Sequence, residues 1–97
     1  LIDLFDFDPK NKKAGVGILI DINYRKKGFA KEALELLEDY CFNHLDLNQI
    51  YANIVVDNLI SKKLFEDLGY QKVGVKKDWI KTNKGYVSEV LYQKISD

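Results

Sequence analysis

The sequence has 97 residues with 15 basic and 15 acidic side chains, so its formal net charge is zero. This length fits one domain with a small core, and the balanced charge gives no general attraction to nucleic acid or to a membrane surface. The single cysteine excludes an internal disulfide framework, and no apolar run approaches the ~20 residues of a membrane span, so we expect a protein of the cytoplasm.

Two strands are predicted at the start of the chain. Leu1–Phe7 alternates apolar and acidic residues, and Asp8–Asn11 supplies turn-forming residues. Val16–Ile22 is almost wholly apolar, as a strand covered on both faces would be. We expect the two strands to form an antiparallel hairpin. Because the chain opens directly on a strand and has no initiator methionine, we also expect further residues upstream.

A helix is predicted from the basic turn Tyr24–Gly28 to about His44, because apolar residues recur there at steps of three and four. Gln49–Asp57 is apolar and β-branched, so it is predicted as a third strand that follows a right-handed parallel crossover. The residues expected to face the core are Phe29, Ala30, Ala33, Leu34, Leu37, Tyr40 and Cys41, and those expected to face solvent are Lys31, Glu32, Glu35, Glu38 and Asp39.

A second helix and a second hairpin complete the chain. Asn58 is a good N-cap for the helix, and Gly69 is expected to end it. Gln71–Ile80 and Tyr86–Ile95 are predicted strands around the polar turn Thr82–Gly85. The order ββαβαββ indicates a single α/β domain with a mixed, twisted sheet.

The segment Asp21–Ala30 is the one most suited to chemistry. It ends a buried strand in a basic, glycine-containing turn that opens a helix, and helix N-termini attract phosphate. Gly28 lets the backbone approach an anion, while Arg25, Lys26 and Lys27 raise the local potential. The segment has neither the Walker nor the Rossmann spacing. The alternative is a surface turn whose basic side chains are only solvated.

Two blocks of the sequence resemble the GNAT superfamily of N-acetyltransferases. Arg25–Ala30 is similar to its pyrophosphate-binding signature, Gln/Arg-x-x-Gly-x-Gly/Ala, and Val56–Tyr70 is similar to a later segment in which Asn caps a helix that ends in Gly-Phe or Gly-Tyr. The resemblance covers essentially the whole chain, as the C-terminal part of the fold without its N-terminal strands and helices. Leu1–Leu4 and Asn83–Tyr86 resemble the spermidine and diamine (polyamine) acetyltransferases.

The resemblance implies transfer of an acetyl group from acetyl-CoA, as co-substrate, to a primary amine, with no metal. The backbone around Asp21 and Ile22 would bind the pantetheine arm, and Asn58 and Ser61 would contact the far side of CoA. Asn58 serves equally well as a helix cap. The full set implied to bind CoA is Asp21, Ile22, Arg25, Lys26, Lys27, Gly28, Phe29, Ala30, Asn58 and Ser61.

The catalytic and acceptor residues are less defined. Asp3 and Glu89 are candidates for attracting a cationic amine, although an exposed strand residue without a function is the simpler explanation of each. Relatives often have, where this chain has Phe65, a tyrosine that can protonate the departing thiolate. Phe65 has no such proton, so Tyr70 or a water would have to donate it. As an apolar residue on a helix face, Phe65 needs no functional explanation.

Other functions fit the same fold. The alternatives are a non-catalytic CoA-binding regulatory module, an acetyltransferase for a protein N-terminal amine, and an interaction domain without a ligand. The expected partner is a small-molecule amine, with no nucleic acid and no membrane. Without the family's N-terminal elements, Leu1–Phe7 would be an uncovered edge strand and one sheet face an exposed apolar patch. We therefore predict a homodimer or higher homo-oligomer.

Overall fold

The computed structural model describes residues 2–18 and 27–96, and over these it shows the predicted order of elements. In the same residues no helix is both long and apolar enough to span a membrane, and no group of three or more His, Cys, Asp and Glu side chains could hold a metal ion. The elements are β1 (Ile2–Asp8), β2 (Lys13–Ile18), α1 (Lys27–Asp39), a π-helical turn (Tyr40–His44), β3 (Gln49–Val55), α2 (Leu59–Asp67), β4 (Gln71–Thr82) and β5 (Gly85–Ile95).

The strands form one mixed sheet in the order β1-β2-β3-β5-β4. β2 and β3 are parallel, and the other three neighbouring pairs are antiparallel. The last strand, β5, therefore lies between β3 and β4. The crossovers β2-α1-β3 and β3-α2-β4 step in the same direction across the sheet, and right-handed crossovers that do so place both helices on one face. The mixed α/β sheet predicted from the sequence is confirmed.

The core lies between this face and the two helices. Burial alternates along β3, where Ile50, Ala52 and Ile54 point to the helices and are at most 5% exposed. Side chains with the same orientation on the neighbouring strands and the inner sides of the helices complete one cluster. Its other members are Ala14, Val16, Leu34, Cys41, Leu47, Leu64, Phe65, Tyr70, Val90 and Tyr92.

The opposite face of the sheet, which we call the open face, is more polar than predicted. The alternation that buries Ile50 and Ala52 directs Gln49, Tyr51 and Asn53 to this side, where they are half-buried. The predicted apolar patch is interrupted on this face, because the apolar side chains of Val55 and Leu91 lie among the polar side chains of Gln49, Asn53 and Gln93.

The first helix also departs from the prediction near its end. The amide of Leu45 donates to the carbonyl of Tyr40 at 3.0 Å, a π-helical bond. The expected solvent-facing Glu38 is buried, because Lys94 of β5 reaches it with an N–O distance of 2.7 Å. The expected core residue Tyr40 is exposed and packs against His44 on the surface.

The predicted helix cap and turns are confirmed. The side-chain oxygen of Asn58 accepts a 3.1 Å hydrogen bond from the amide of Ser61 at the start of α2. Gly69 ends this helix with φ +90°, and Gly85 closes the β4–β5 turn with φ +114°, both left-handed conformations that favour glycine. The hydroxyl of Thr82 donates to the carbonyl of Gly85 at 2.7 Å and fixes that turn.

Candidate functional site

The parallel strands β2 and β3 run side by side only over their first halves. Their pairing joins Lys13 to Gln49, Ala14 to Ile50 and Gly15 to Tyr51, and ends there. Beyond that point β2 stays with β1, and β3 stays with β5. The facing backbone groups of residues 16–18 and 52–55 therefore have no ladder partners among the described residues. They border a wedge-shaped opening in the middle of the sheet, where an extended chain with amide groups can pair as an added strand.

Both helices begin at the edge of the sheet where this opening widens. β2 and β3 are parallel, so their carboxyl ends lie at the same edge; α1 begins at Lys27 after β2, and α2 begins at Leu59 after β3. Each helix N-terminus presents unbonded N–H groups and the positive end of its dipole. An elongated ligand with amides along its length and phosphate at one end fits this combination.

The predicted CoA loop is described only in part. Asp21, Ile22, Arg25 and Lys26 lie outside the described residues. For Lys27, Gly28 and Phe29 the structure shows the backbone of the first turn of α1, which is where the sequence predicts the phosphate-binding N-terminus. Ala30 packs against the core cluster. The contacts of these eight residues with CoA remain predictions.

Asn58 and Ser61 form the cap of α2. The oxygen of Asn58 is engaged by the Ser61 amide, and the Ser61 side chain is buried. The structural role of Asn58 is thus observed, and a contact with CoA is a prediction for both residues. Their position after the carboxyl end of β3 places them at the edge of the sheet where the opening widens.

Phe65 of α2 and Tyr70 pack against each other in the core, between the helices and the sheet. Their rings meet edge to face with centroids 4.8 Å apart. The Tyr70 hydroxyl is buried and has no hydrogen-bond partner among the described residues, and burial, with smaller effects of Glu38 and Cys41, raises its pKa far above the usual range. Tyr70 directly precedes β4, at the end of the sheet where β2 and β3 are still paired. This position argues against Tyr70 as the proton donor.

Asp3 and Glu89 lie on the same face of the sheet, on opposite sides of the opening. Register places Asp3 of β1 beside Gly17, and Glu89 of β5 beside Val55, both on the open face. Two paired strand spacings of ~4.8 Å and the width of the opening separate β1 from β5 here, so the two strands lie more than about 14 Å apart. Asp3 is exposed, whereas a Glu89 oxygen lies 2.9 Å from the ammonium of Lys76. The two carboxylates therefore flank the opening and do not converge on one point.

The sequence reasoning missed the cluster around Glu89. Lys76 also donates to the side-chain oxygen of Asn53 at 2.9 Å, and its ammonium lies 4.8 Å from the centroid of the Trp79 ring. These residues come from three strands, and no local pattern joins them. Beside the cluster, the open face has a concavity of about 410 Å³, lined by Asp6, Lys13, Gln49, Tyr51, Asn53, Val73, Lys76, Leu91 and Gln93.

Comparison with known proteins points in one direction. Residues 2–91 match the family described as "Acetyltransferase (GNAT) domain". The chain is 40% identical to N-acetyltransferase p20 of Bacillus licheniformis over 83 residues, which cover 86% of this chain and 46% of p20. It is 30% identical to the spermidine N(1)-acetyltransferase of Vibrio cholerae over 74 residues, covering 76% of this chain and 43% of that enzyme. The chain thus spans about half the length of these relatives.

Solved structures agree on the fold. The crystal structure of a probable acetyltransferase superposes with a TM-score of 0.91 at 28% identity, over 98% of this chain and 54% of that protein. The F149A mutant of the spermidine N-acetyltransferase SpeG from Vibrio cholerae gives a TM-score of 0.89 at 24% identity, over 97% of this chain and 56% of SpeG. At that identity the likeness to SpeG concerns the fold alone.

Proposed function

The chain belongs to the GNAT acetyltransferase family, and on that premise we propose that it is the acetyl-CoA-binding part of an enzyme that acetylates a primary amine. The observation that carries the proposal is the opening between β2 and β3, at whose wide edge both helices begin. Its bordering backbone groups suit the amides of a pantetheine arm. The N-terminus of α1, with Arg25, Lys26 and Lys27 before and within its first turn, suits a pyrophosphate.

The chain's own residues would bind and orient the reactants. Acetyl-CoA supplies the acyl group as a thioester, which an amine can attack directly. The attacking amine must be neutral, and an amine with a pKa near 10.4 is mostly protonated at pH 7. Asp3, exposed at one side of the opening, is our candidate for attracting the cation. Because Phe65 has no proton to give and Tyr70 is buried, we propose that a water protonates the leaving group.

Within the class of primary amines, we propose a polyamine such as spermidine as the acceptor. The proposal is supported by the likeness to the Vibrio cholerae spermidine N(1)-acetyltransferase and by the carboxylates of Asp3 and Asp6 on β1. We propose the cytoplasm as the compartment, since Cys41 is a free thiol in the core.

A CoA titration by calorimetry tests the binding site. Gly28→Val places a side chain where the backbone should approach the pyrophosphate, and we expect at least tenfold weaker binding, about 1.4 kcal/mol. Gly74→Val is the matched control, because a side chain at Gly74 of β4 meets open space. Equal affinity of both folded variants and the wild type would mean that the pyrophosphate lies elsewhere.

A second function is favoured by one observation. Phe65, buried and without a hydroxyl, stands where relatives often have a proton donor, which suits a CoA-binding regulatory module without catalysis. Transfer of labelled acetyl groups from acetyl-CoA to spermidine separates the two. CoA binding without transfer, in a protein that includes the upstream half found in the relatives, would favour the regulatory module.

A further inference from the structure

The ammonium of Lys76 lies in a pocket of three groups that are suited to recognising a primary amine. A Glu89 oxygen and the Asn53 side-chain oxygen each lie 2.9 Å from it, and the Trp79 ring centroid is 4.8 Å away. A primary ammonium has three N–H donors, and this pocket offers it a carboxylate, an amide oxygen and an aromatic face. The pocket is therefore an ammonium site, and a residue of the protein itself occupies it.

This ammonium site borders the opening between β2 and β3. Asn53 belongs to the half of β3 that no longer pairs with β2, and Glu89 lies on β5 beside Val55, the last residue of β3. The concavity on the open face is lined by Asn53 and Lys76 and gives a ligand access from that side. An amine bound here would lie at the rim of the space in which the proposed function places acetyl-CoA.

A β-bulge brings the aromatic face into this position. The register of β4 against β5 shifts between Lys76 and Ile80, and within the bulge Asp78 has φ +50°. The amide of Asp78 donates to the Ser88 hydroxyl at 3.2 Å, which fixes the bulge. Bulges of this kind redirect side chains and are frequent beside functional sites. Trp79 remains 61% exposed, so its ring is available to a ligand from solvent.

We propose that Glu89, Asn53 and Trp79 form the acceptor-ammonium site of the transferase, and that Lys76 is its built-in occupant, which the acceptor must displace. This inference rests on the proposed function and names its substrate class: an unbranched primary alkylamine, since the occupant is itself a –CH₂–NH₃⁺ group. A tethered competitor acts at an effective concentration on the order of millimolar or above. Removal of the Lys76 amine should therefore strengthen the binding of free amines.

Trp79 is the only tryptophan, so its fluorescence reports directly on the site. Butylamine would be titrated into the wild type, Lys76→Met and the double variant Lys76→Met/Glu89→Gln at pH 7.5, with pentanol as the uncharged probe. We expect Lys76→Met to bind butylamine at least tenfold more tightly than the wild type. The double variant should not show this gain for butylamine, and Lys76→Met should not show it for pentanol. Lys72→Met, an exposed lysine of the same strand, is the matched control and should behave as the wild type.

Thermal unfolding shows whether Lys76→Met is folded, and Lys76→Gln replaces it if it is not, since glutamine keeps a donor for Asn53 and removes the charge. If the folded variant binds butylamine no more tightly than the wild type, Lys76 only connects β3, β4 and β5 within the sheet, and the inference is wrong. A gain that survives Glu89→Gln would also overturn it. CoA affinity, measured on the same samples, is a separate readout. If the wild type does not bind CoA, the proposed function is contradicted, and the ammonium site is not.

Discussion

Two tyrosine hydroxyls in the core differ in their hydrogen bonding. The hydroxyl of Tyr92 donates to a Glu66 oxygen at 2.7 Å, and burial and that carboxylate raise its pKa to about 12. The hydroxyl of Tyr70 is buried as well, but no described group bonds to it. A buried polar group without a partner costs about 1–3 kcal/mol. We therefore expect the Tyr92 hydroxyl to stabilise the fold and the Tyr70 hydroxyl to destabilise it.

We predict that Tyr70→Phe raises the free energy of unfolding by about 1 kcal/mol, because it removes the unbonded hydroxyl and keeps the ring that packs on Phe65. Tyr92→Phe, the matched variant, should lower it by about 1 kcal/mol through loss of the bond to Glu66. Urea denaturation followed by circular dichroism measures both. A destabilised Tyr70→Phe would show that its hydroxyl has a partner in solution.

Phe65 allows a direct test of the missing proton donor. If a hydroxyl at this position can protonate the thiolate, Phe65→Tyr should raise kcat by a factor of about 10²–10⁴, as general acids do. The side chain is 1% exposed, so the added hydroxyl should also reduce stability. Turnover of a protein that includes the upstream half would be measured across pH, with Phe42→Tyr as the control, a half-buried phenylalanine of the π-helical turn. An unchanged kcat at every pH would mean that another group already donates the proton.

At the scale of elements, Lys94 connects β5 with both helices, α1 and α2. From β5 its ammonium reaches Glu38 of α1 at 2.7 Å and the carbonyl of Leu68, at the end of α2, at 2.8 Å. A cation at a helix C-terminus satisfies free carbonyls and interacts favourably with the dipole. Glu38 is 5% exposed, and Lys94 is the cation that contacts its buried carboxylate.

We predict that Lys94→Met destabilises the fold by about 3 kcal/mol, because it leaves a buried carboxylate without its cation. Lys12→Met is the control: its pair with Asp46 is exposed on both sides and should be worth less than about 1 kcal/mol. The double variant Lys94→Met/Glu38→Leu should recover most of the loss. Equal destabilisation by Lys94→Met and Lys12→Met, measured by thermal unfolding, would contradict this role.

The sequence predicted those elements that local chemistry decides. The strand β3 and the cap at Asn58 depend on neighbours in the chain, and both were predicted correctly. Glu38 was assigned to solvent because its partner lies 56 residues away. The Lys76 cluster was missed for the same reason, since a bulge and two other strands assemble it. The separation of β2 from β3 beyond Gly15 and Tyr51 depends on the whole sheet, and no sequence motif indicates it.

At the scale of the whole molecule, the two outer strands of the described sheet carry opposite charges. β1 contains three aspartates and no basic residue, whereas β4 contains four lysines and one aspartate. Lysines on an edge strand prevent it from pairing with its own copy. The aspartates have the same effect on β1, so neither edge suits a symmetric contact. β4 is parallel to β3, and β1 is antiparallel to β2, so the two outer strands run in opposite directions.

We therefore predict that the 97-residue chain self-associates by placing β1 of one copy against β4 of the next. A simple translation brings these edges together as an antiparallel pair, and such a head-to-tail contact extends beyond a dimer. The association should be strongest at low salt and decline at 1 M salt, where the screening length falls to about 3 Å. Sedimentation velocity at micromolar concentration measures it. Replacement of Lys72, Lys77 and Lys81 by glutamine should abolish it, whereas the same change at Lys31, Lys62 and Lys63 on the helices, with an equal loss of charge, should not. A monomer at low salt, or association that is equal in both triple variants, would show that the edge charges do not direct assembly.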